Sequence, residues 1–222
     1  MVHQIVKSKH RVFAESLIIT LLILFLGFLF GTFIESSRTS KVIENYKYFE
    51  IDALDLRLQN YYYQIMDKAS CEEAIKQNFI FADEIYRQGI IIQRYEDGNK
   101  LTGNLLLEKK KYVLLKTELW LNSILLKEKC GNPFHTIVYA YSQSSNTIKD
   151  AEQTAISKTL KGIKEELGDK IVLIPIAGDL GLGAVDMQLR IYNVTYLPSL
   201  IIDEEHIIEG FKEKEEIEKY LE

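Results

Sequence analysis

Proline and cysteine are scarce: three prolines and two cysteines occur in 222 residues. Each shortage excludes something. With only Cys71 and Cys130 there is no zinc site built on paired Cys-x-x-Cys ligands, and no metal site is expected; what remains is room for one intramolecular disulfide. Proline is absent from Thr39 to Lys129, so nothing in that region interrupts long helices. A surplus of one charge is lacking too. The formal net charge is −5 and no long block of like charge occurs, which leaves no basic face for nucleic acid. With 47% hydrophobic and 27% charged residues the chain has the balance of one that folds.

What is present begins with an apolar run. No charged residue occurs from Ser16 to Ile34, "SLIITLLILFLGFLFGTFI", and as a helix this run measures roughly 28 Å, enough to cross a bilayer core of about 30 Å. The following "GTFIESSRTS" offers no small-residue cleavage site, so the run reads as an uncleaved signal anchor. The partner there is the lipid bilayer. Lys7, Lys9 and Arg11 before it nearly balance Arg38, Lys41 and Lys47 after it. The short, closely grouped basic tail (1–15) favours a cytoplasmic N-terminus and an extracytoplasmic C-terminal region. Gly27 and Gly31 form a G-x-x-x-G pair. Glycine is common in membrane helices, and the alternative is a homodimer contact between close-approaching helices.

From residue 39 to 131 the pattern is a helical bundle, with breaks at 67–70 and 96–104 and helices near 40–67, 71–95 and 105–129. Tyr112, Leu115, Leu119 and Leu126 recur at helical spacing beside Trp120, the mark of a core stripe. Tyr61, Tyr62 and Tyr63 point in different directions and suit packing and the rim. If the three helices run up, down and up, the start of the second and the end of the third share one end of the bundle. Cys71 opens the second and Cys130 closes the third, just before the helix stop at Gly131 and Pro133. A structural Cys71–Cys130 disulfide follows as the expectation in an oxidising compartment.

From residue 134 to 222 strands and helices alternate. Strands are predicted at 135–142 and 170–177, helices at 147–167 and 184–192, then a hairpin of "SLIID" and "HIIEG", and a last helix in "KEKEEIEKYL". The order β-α-β-α-β-β-α requires a parallel crossover followed by an antiparallel hairpin. "GDLGLG" (178–183) lacks the G-x-G-x-x-G spacing and reads as a βα connection. Asn193-Val194-Thr195 matches a glycosylation sequon and is taken as chance. His135 and His206 have no partner residues for nucleophilic catalysis.

This order, and above all "YNVTYLPSLIIDEEHIIEGFKEKEEIEKYL", resembles the thioredoxin superfamily over about the last 90 residues. The resemblance implies an α/β thioredoxin-like fold after the membrane helix and the three-helix region, with Pro198, after Leu197, as the family's cis-proline. It also exposes a departure. Where redox members carry Cys-x-x-Cys at the junction of first strand and helix, this chain reads Ser142-Gln143-Ser144-Ser145. Ser142 and Ser145 stand at the cysteine positions, and serine cannot form the thiolate or the disulfide. No catalytic residue and no cofactor are expected. The groove the resemblance implies is lined by Ser142, Ser145, Thr195, Tyr196, Leu197 and Pro198, where backbone groups of Thr195 and Tyr196 would pair with an extended peptide or partner protein. Tyr139 and Tyr141 are expected to alternate, one of them facing the groove. The reading is a non-catalytic, membrane-anchored binding protein. Its rivals are a thiol–disulfide oxidoreductase using Cys71 and Cys130, with the bundle end over the groove, and a scaffold acting through the bundle.

Overall fold

The computed structural model describes residues 13–32, 51, 54–55, 57–59, 61, 70–97, 103–144 and 146–221. The chain divides into two units, Met1–Asp52 and Ala53–Glu222. In the first, α1 (Phe13–Thr32) is a helix long and apolar enough to cross a membrane. Its hydroxyls turn back on the helix: Ser16 donates to the Phe13 carbonyl, Thr20 to that of Ser16 and Thr32 to that of Leu29. These three hydroxyls are thus satisfied within the helix itself. Gly27 and Gly31 lie on α1 with open space beside them.

The second unit is mixed α/β. Two long helices, α2 (Cys71–Asp97) and α3 (Gly103–Cys130), lie antiparallel. Cys71 is bonded to Cys130 with Cα atoms 5.7 Å apart, within the range a disulfide needs. Seven positions along α2, the Asn78 amide donates to the Ser123 hydroxyl, seven positions back along α3. Eleven further on, Gly89 faces Tyr112, whose hydroxyl lies 2.1 Å from where a Cβ at Gly89 would be. Only a glycine lets that ring lie across α2. Leu115, Leu119, Trp120 and Leu126 are buried as their spacing predicts. Of the expected helix at 40–67, the described residues 51, 54–55, 57–59 and 61 are helical, and Tyr61 is exposed; Tyr62, Tyr63 and the other positions lie outside the described residues.

The sheet is formed by β1 (His135–Tyr141), β2 (Ile171–Ala177), β3 (Ser199–Ile202) and β4 (His206–Glu209), in the order β2-β1-β3-β4. β1 runs parallel to β2 and antiparallel to β3, which is antiparallel to β4. Helices α4 (Thr147–Leu167), α5 (Gly183–Ile191) and α6 (Lys214–Glu218) complete the unit. Asn146 caps α4 by accepting from the Lys149 N–H, and Gly168 ends it with φ 54°. On one face Ile156, Leu160, Ile163 and Ile217 of α4 and α6 pack on Ile137, Tyr139, Ile171, Leu200, Ile202 and Ile208. Pleating sends Val138, Ala140, Val172, Ile174 and Ile201 to the opposite face, which α3 covers with α5 beside it. Each such side chain, fully buried, contributes about 1.5–3 kcal/mol. A sheet buried on both faces explains the near-continuous apolar runs "IVLIPIA" and "SLII".

Tyr139 and Tyr141 correct an expectation. Two positions apart on a strand they share a face, and their rings lie 5.6 Å apart on the α4 side. The Tyr139 hydroxyl donates to the Gln153 carbonyl, and the two rings share one face where alternation was expected.

At the first end of β1 a polar cluster joins α3 to the β3–β4 turn. The Lys127 ammonium donates to Asp203 (2.5 Å), Glu204 (2.9 Å) and the Thr136 hydroxyl (3.0 Å). Glu204 also accepts from the Trp120 indole N–H, and Asp203 from the Thr136 N–H, with the His135 ring 2.5 Å away. Asp203 and Glu204 both have positive φ, 50° and 64°, as at the centre of a tight hairpin turn. The turn comprises Asp203, Glu204 and Glu205, between the paired Ile202 and His206, one residue longer than the predicted "EE".

Candidate functional site

The other end of β1, seven residues or roughly 20 Å away, holds the residues the sequence singled out. Ser142, Gln143 and Ser144 follow β1; Gly178 and Asp179 follow β2; Leu197 and Pro198 precede β3. The Leu197–Pro198 bond is cis, in agreement with the expectation for Pro198. Ser145 lies outside the described residues.

Asp179 organises the turn between β1 and α4. Its carboxylate accepts from the Ser142 hydroxyl at 2.7 Å and from the N–H groups of Gln143 (2.7 Å) and Ser144 (2.9 Å). Gln153 closes the turn from α4, accepting from the Ser142 N–H and donating to the Ser142 carbonyl. Burial works against ionisation of Asp179, but the N–H groups of Ser144 and Gln143 and the Ser142 hydroxyl outweigh it and hold the carboxyl below the usual aspartate value. Ser142 is therefore buried, and its hydroxyl serves to hold the turn.

Asp179→Ala is expected to leave global stability nearly unchanged and to lower the exchange protection of the Gln143 and Ser144 amides by about tenfold, the scale of one lost hydrogen bond to a charged acceptor. Because the folded-state pKa is depressed, the same protection in the wild type is complete above the ordinary aspartate value and is lost as pH falls through the lower folded value. Amide exchange read by mass spectrometry checks both.

The segment before Pro198 is held at its two ends. Asn193, in the left-handed region with φ 53°, terminates α5: its N–H donates to the Arg190 carbonyl and the Val194 N–H to that of Leu189. The Tyr196 carbonyl accepts from the Ser199 hydroxyl, and the Pro198 carbonyl from the Gly210 N–H. Leu197 packs its methyl groups over Gly178, where a Cβ would meet them at 3.0–3.2 Å. Between these anchors the N–H groups of Thr195, Tyr196 and Leu197 have no acceptor among the described residues. Thr195 and Tyr196 are exposed.

Glu152 of α4 ties this segment to its rim. It accepts from the Tyr196 hydroxyl and from the Phe211 N–H, while the Lys149 ammonium lies 5.0 Å from the Tyr196 ring centre. Ile148, one turn before Glu152 on the same face of α4, is 81% exposed; Tyr196 and Phe211 are 38% and 39% exposed. Three large apolar side chains thus stand in water around a run of unused N–H donors. Thr195 donates to Glu209.

Beside the turn, Lys109 of α3 donates to the Gln143 side chain at 2.5 Å. Two turns on, Lys116 is 5% exposed and sits 4.1 Å over the Tyr112 ring. Burial, then the Lys109 charge, brings its pKa down to about 7.

The sequence reading missed Asp179, Gln153, Glu152, Lys109 and Lys116. Asp179 alone had a local signal, an acid placed directly after a strand end beside the turn it fills. Among the described residues no group of His, Cys, Asp or Glu is arranged to hold a metal. His135 is paired with Asp203 and His206 stacks on Tyr220. No protein-family model matches the chain, and no curated protein is detectably similar to it.

Proposed function

We propose that the C-terminal region is a thioredoxin-like module without redox chemistry, anchored by α1 and binding extended peptides or partner segments outside the cytoplasm. The observation that carries this reading is the row of unused N–H groups at Thr195, Tyr196 and Leu197, rimmed by exposed Ile148, Tyr196 and Phe211. An incoming strand finds donors for its carbonyls there and apolar surface for alternate side chains. The strand order β2-β1-β3-β4 and the cis bond before β3 support the fold assignment. Asp179 supports the absence of redox chemistry, since it takes the N–H donors at the turn where a thiolate would otherwise be stabilised.

The Cys71–Cys130 disulfide supports an oxidising compartment and argues against the oxidoreductase reading. It lies at the first end of β1, whereas the groove is at the last. The disulfide-bearing end of the helical hairpin is thus remote from the groove, which the oxidoreductase reading would need it to cover.

Ile148→Glu is expected to weaken binding of an extended apolar peptide by tenfold or more, about 1.4 kcal/mol, while stability stays within about 0.5 kcal/mol, as for other exposed positions. With the full-length protein in detergent micelles and the probe Ala-Leu-Val-Leu-Ala amide, the amide resonances of Thr195, Tyr196 and Leu197 should move. Binding that leaves these three unmoved, or that ignores Ile148→Glu, would rule the groove out.

A further inference from the structure

We propose that α3 carries a second site beside the groove, taking one compact oxyanion, a carboxylate or a phosphate, between the Lys109 and Lys116 ammonium groups. Lys116 is nineteen-twentieths buried, yet it has no hydrogen-bond acceptor and no ion-pair partner among the described residues. Its ammonium lies over the face of the Tyr112 ring. A buried ammonium without an anion is among the least tolerable groups in a protein interior, and an arriving anion removes that penalty. The other buried lysine, Lys127, has Asp203, Glu204 and Thr136 as acceptors, and the half-buried Lys164 has the Gly168 and Ile171 carbonyls.

Lys109 and Lys116 are seven positions apart, two turns along the same face, and helical side chains lean towards the N-terminus, so Lys116 reaches towards Lys109. Among the described residues, Lys109 is the charged neighbour that bears on it. Tyr112, over whose ring the Lys116 ammonium lies, is itself near Tyr86 of α2 and Tyr141 of β1. Burial, then Tyr141 and Tyr86, pushes the Tyr112 pKa up, so its hydroxyl stays a donor at any physiological pH. Because Lys116 titrates near neutrality, an anion entering at pH 7 draws a proton onto it.

Lys109 holds Gln143, in the turn that Asp179 organises, which places the anion beside the groove. Two sources share this chemistry. One is a free ion; the other is the terminal carboxylate of a bound peptide, and that source alone rests on the function proposed above.

The test uses the full-length protein in detergent micelles at pH 7, titrated with sodium phosphate or sodium acetate against sodium chloride at equal ionic strength. The expected result is a saturable rise of several degrees in the unfolding midpoint with the oxyanions, lost in Lys116→Met, which should itself be at least as stable as the wild type without added anion. Lys116→Gln serves the same purpose if the methionine variant does not fold. A rise equal to that in chloride, or one that persists unchanged in both variants, overturns the proposal. Ala-Leu-Val-Leu-Ala as the free acid and as the amide then separates the sources. Tighter binding of the acid, abolished by Lys116→Met, assigns the peptide carboxylate; an oxyanion effect without that preference assigns a free ion. Equal binding of both peptides with no oxyanion effect overturns the anion site and leaves the groove standing.

Discussion

Replacing Cys71 and Cys130 together by serine is expected to lower the unfolding free energy by about 4 kcal/mol, the entropy released when a loop of this length is no longer closed in the unfolded chain. Few polar contacts would replace the staple. Asn78 uses its amide N–H on Ser123, but its carbonyl oxygen is buried without a partner, and both polar atoms of the Asn122 side chain are buried without one among the described residues. Each such orphan costs about 1–3 kcal/mol, so the α2–α3 hairpin leans on its covalent tie and on apolar packing; the edge contact of Phe79 with Phe134 joins α2 to the segment before β1. Denaturant unfolding with and without a thiol reductant measures the effect. The reduced wild type should coincide with the double serine variant, and a variant as stable as the oxidised protein would mean that the disulfide does not constrain the unfolded chain.

Lys127→Ala is expected to cost about 3–5 kcal/mol, the penalty for breaking a buried ion pair from one side. Asp203 and Glu204 would be left facing each other with only Thr136, His135 and the Trp120 N–H to hold them. Trp120 is the sole tryptophan, donates to Glu204 and lies 5.3 Å from the Tyr192 ring, so its fluorescence reports the cluster directly. Burial opposes ionisation of Asp203, but Lys127, His135 and the Thr136 N–H more than offset it and keep the carboxyl below the ordinary value. A depressed folded-state pKa contributes stability above the unfolded value, and that contribution disappears as pH falls through the folded one. The acid limb of the wild-type stability curve should therefore lie at lower pH than that of Lys127→Ala. Denaturant midpoints at pH 7 and across the acid range decide it; a loss under 1 kcal/mol, or coincident acid limbs, would show that water replaces Lys127 without penalty.

Where the signal was local, the sequence was readable. The helix at 147–167 has a capping Asn146 before it and Gly168 after it, and its predicted bounds match those observed. The cysteines could be paired because a helical hairpin brings its two outer ends together. The strands of a doubly covered sheet announced themselves as apolar runs. What escaped were pairings across distance. Lys127 meets Asp203 and Glu204 some 76 and 77 positions away, and Ser142 meets Asp179 at a separation of 37; nothing in "LLKEKC" or "IAGDL" states such a partner. Asp203 looked like a strand end because an acid after "SLII" continues the strand pattern, whereas the positive φ that makes it a turn residue is imposed by the hairpin. Lys116 was hidden for the opposite reason, since a lysine on a helix is ordinarily a solvated one.

The proline shared by no site has its own consequence. β2 is an outer strand, and "IVLIPIA" has the composition of a segment that recruits a second copy of itself into a growing stack. Pro175 stands in the middle of it, opposite Tyr139. Proline is tolerated in a paired strand where its nitrogen faces the open side, so the outward row of donors is interrupted where a foreign strand would have to dock. The other margin of the sheet, β4, is four residues long and exposes His206 and Glu209. Both margins of the sheet therefore offer an approaching strand from another copy little continuous backbone to pair with.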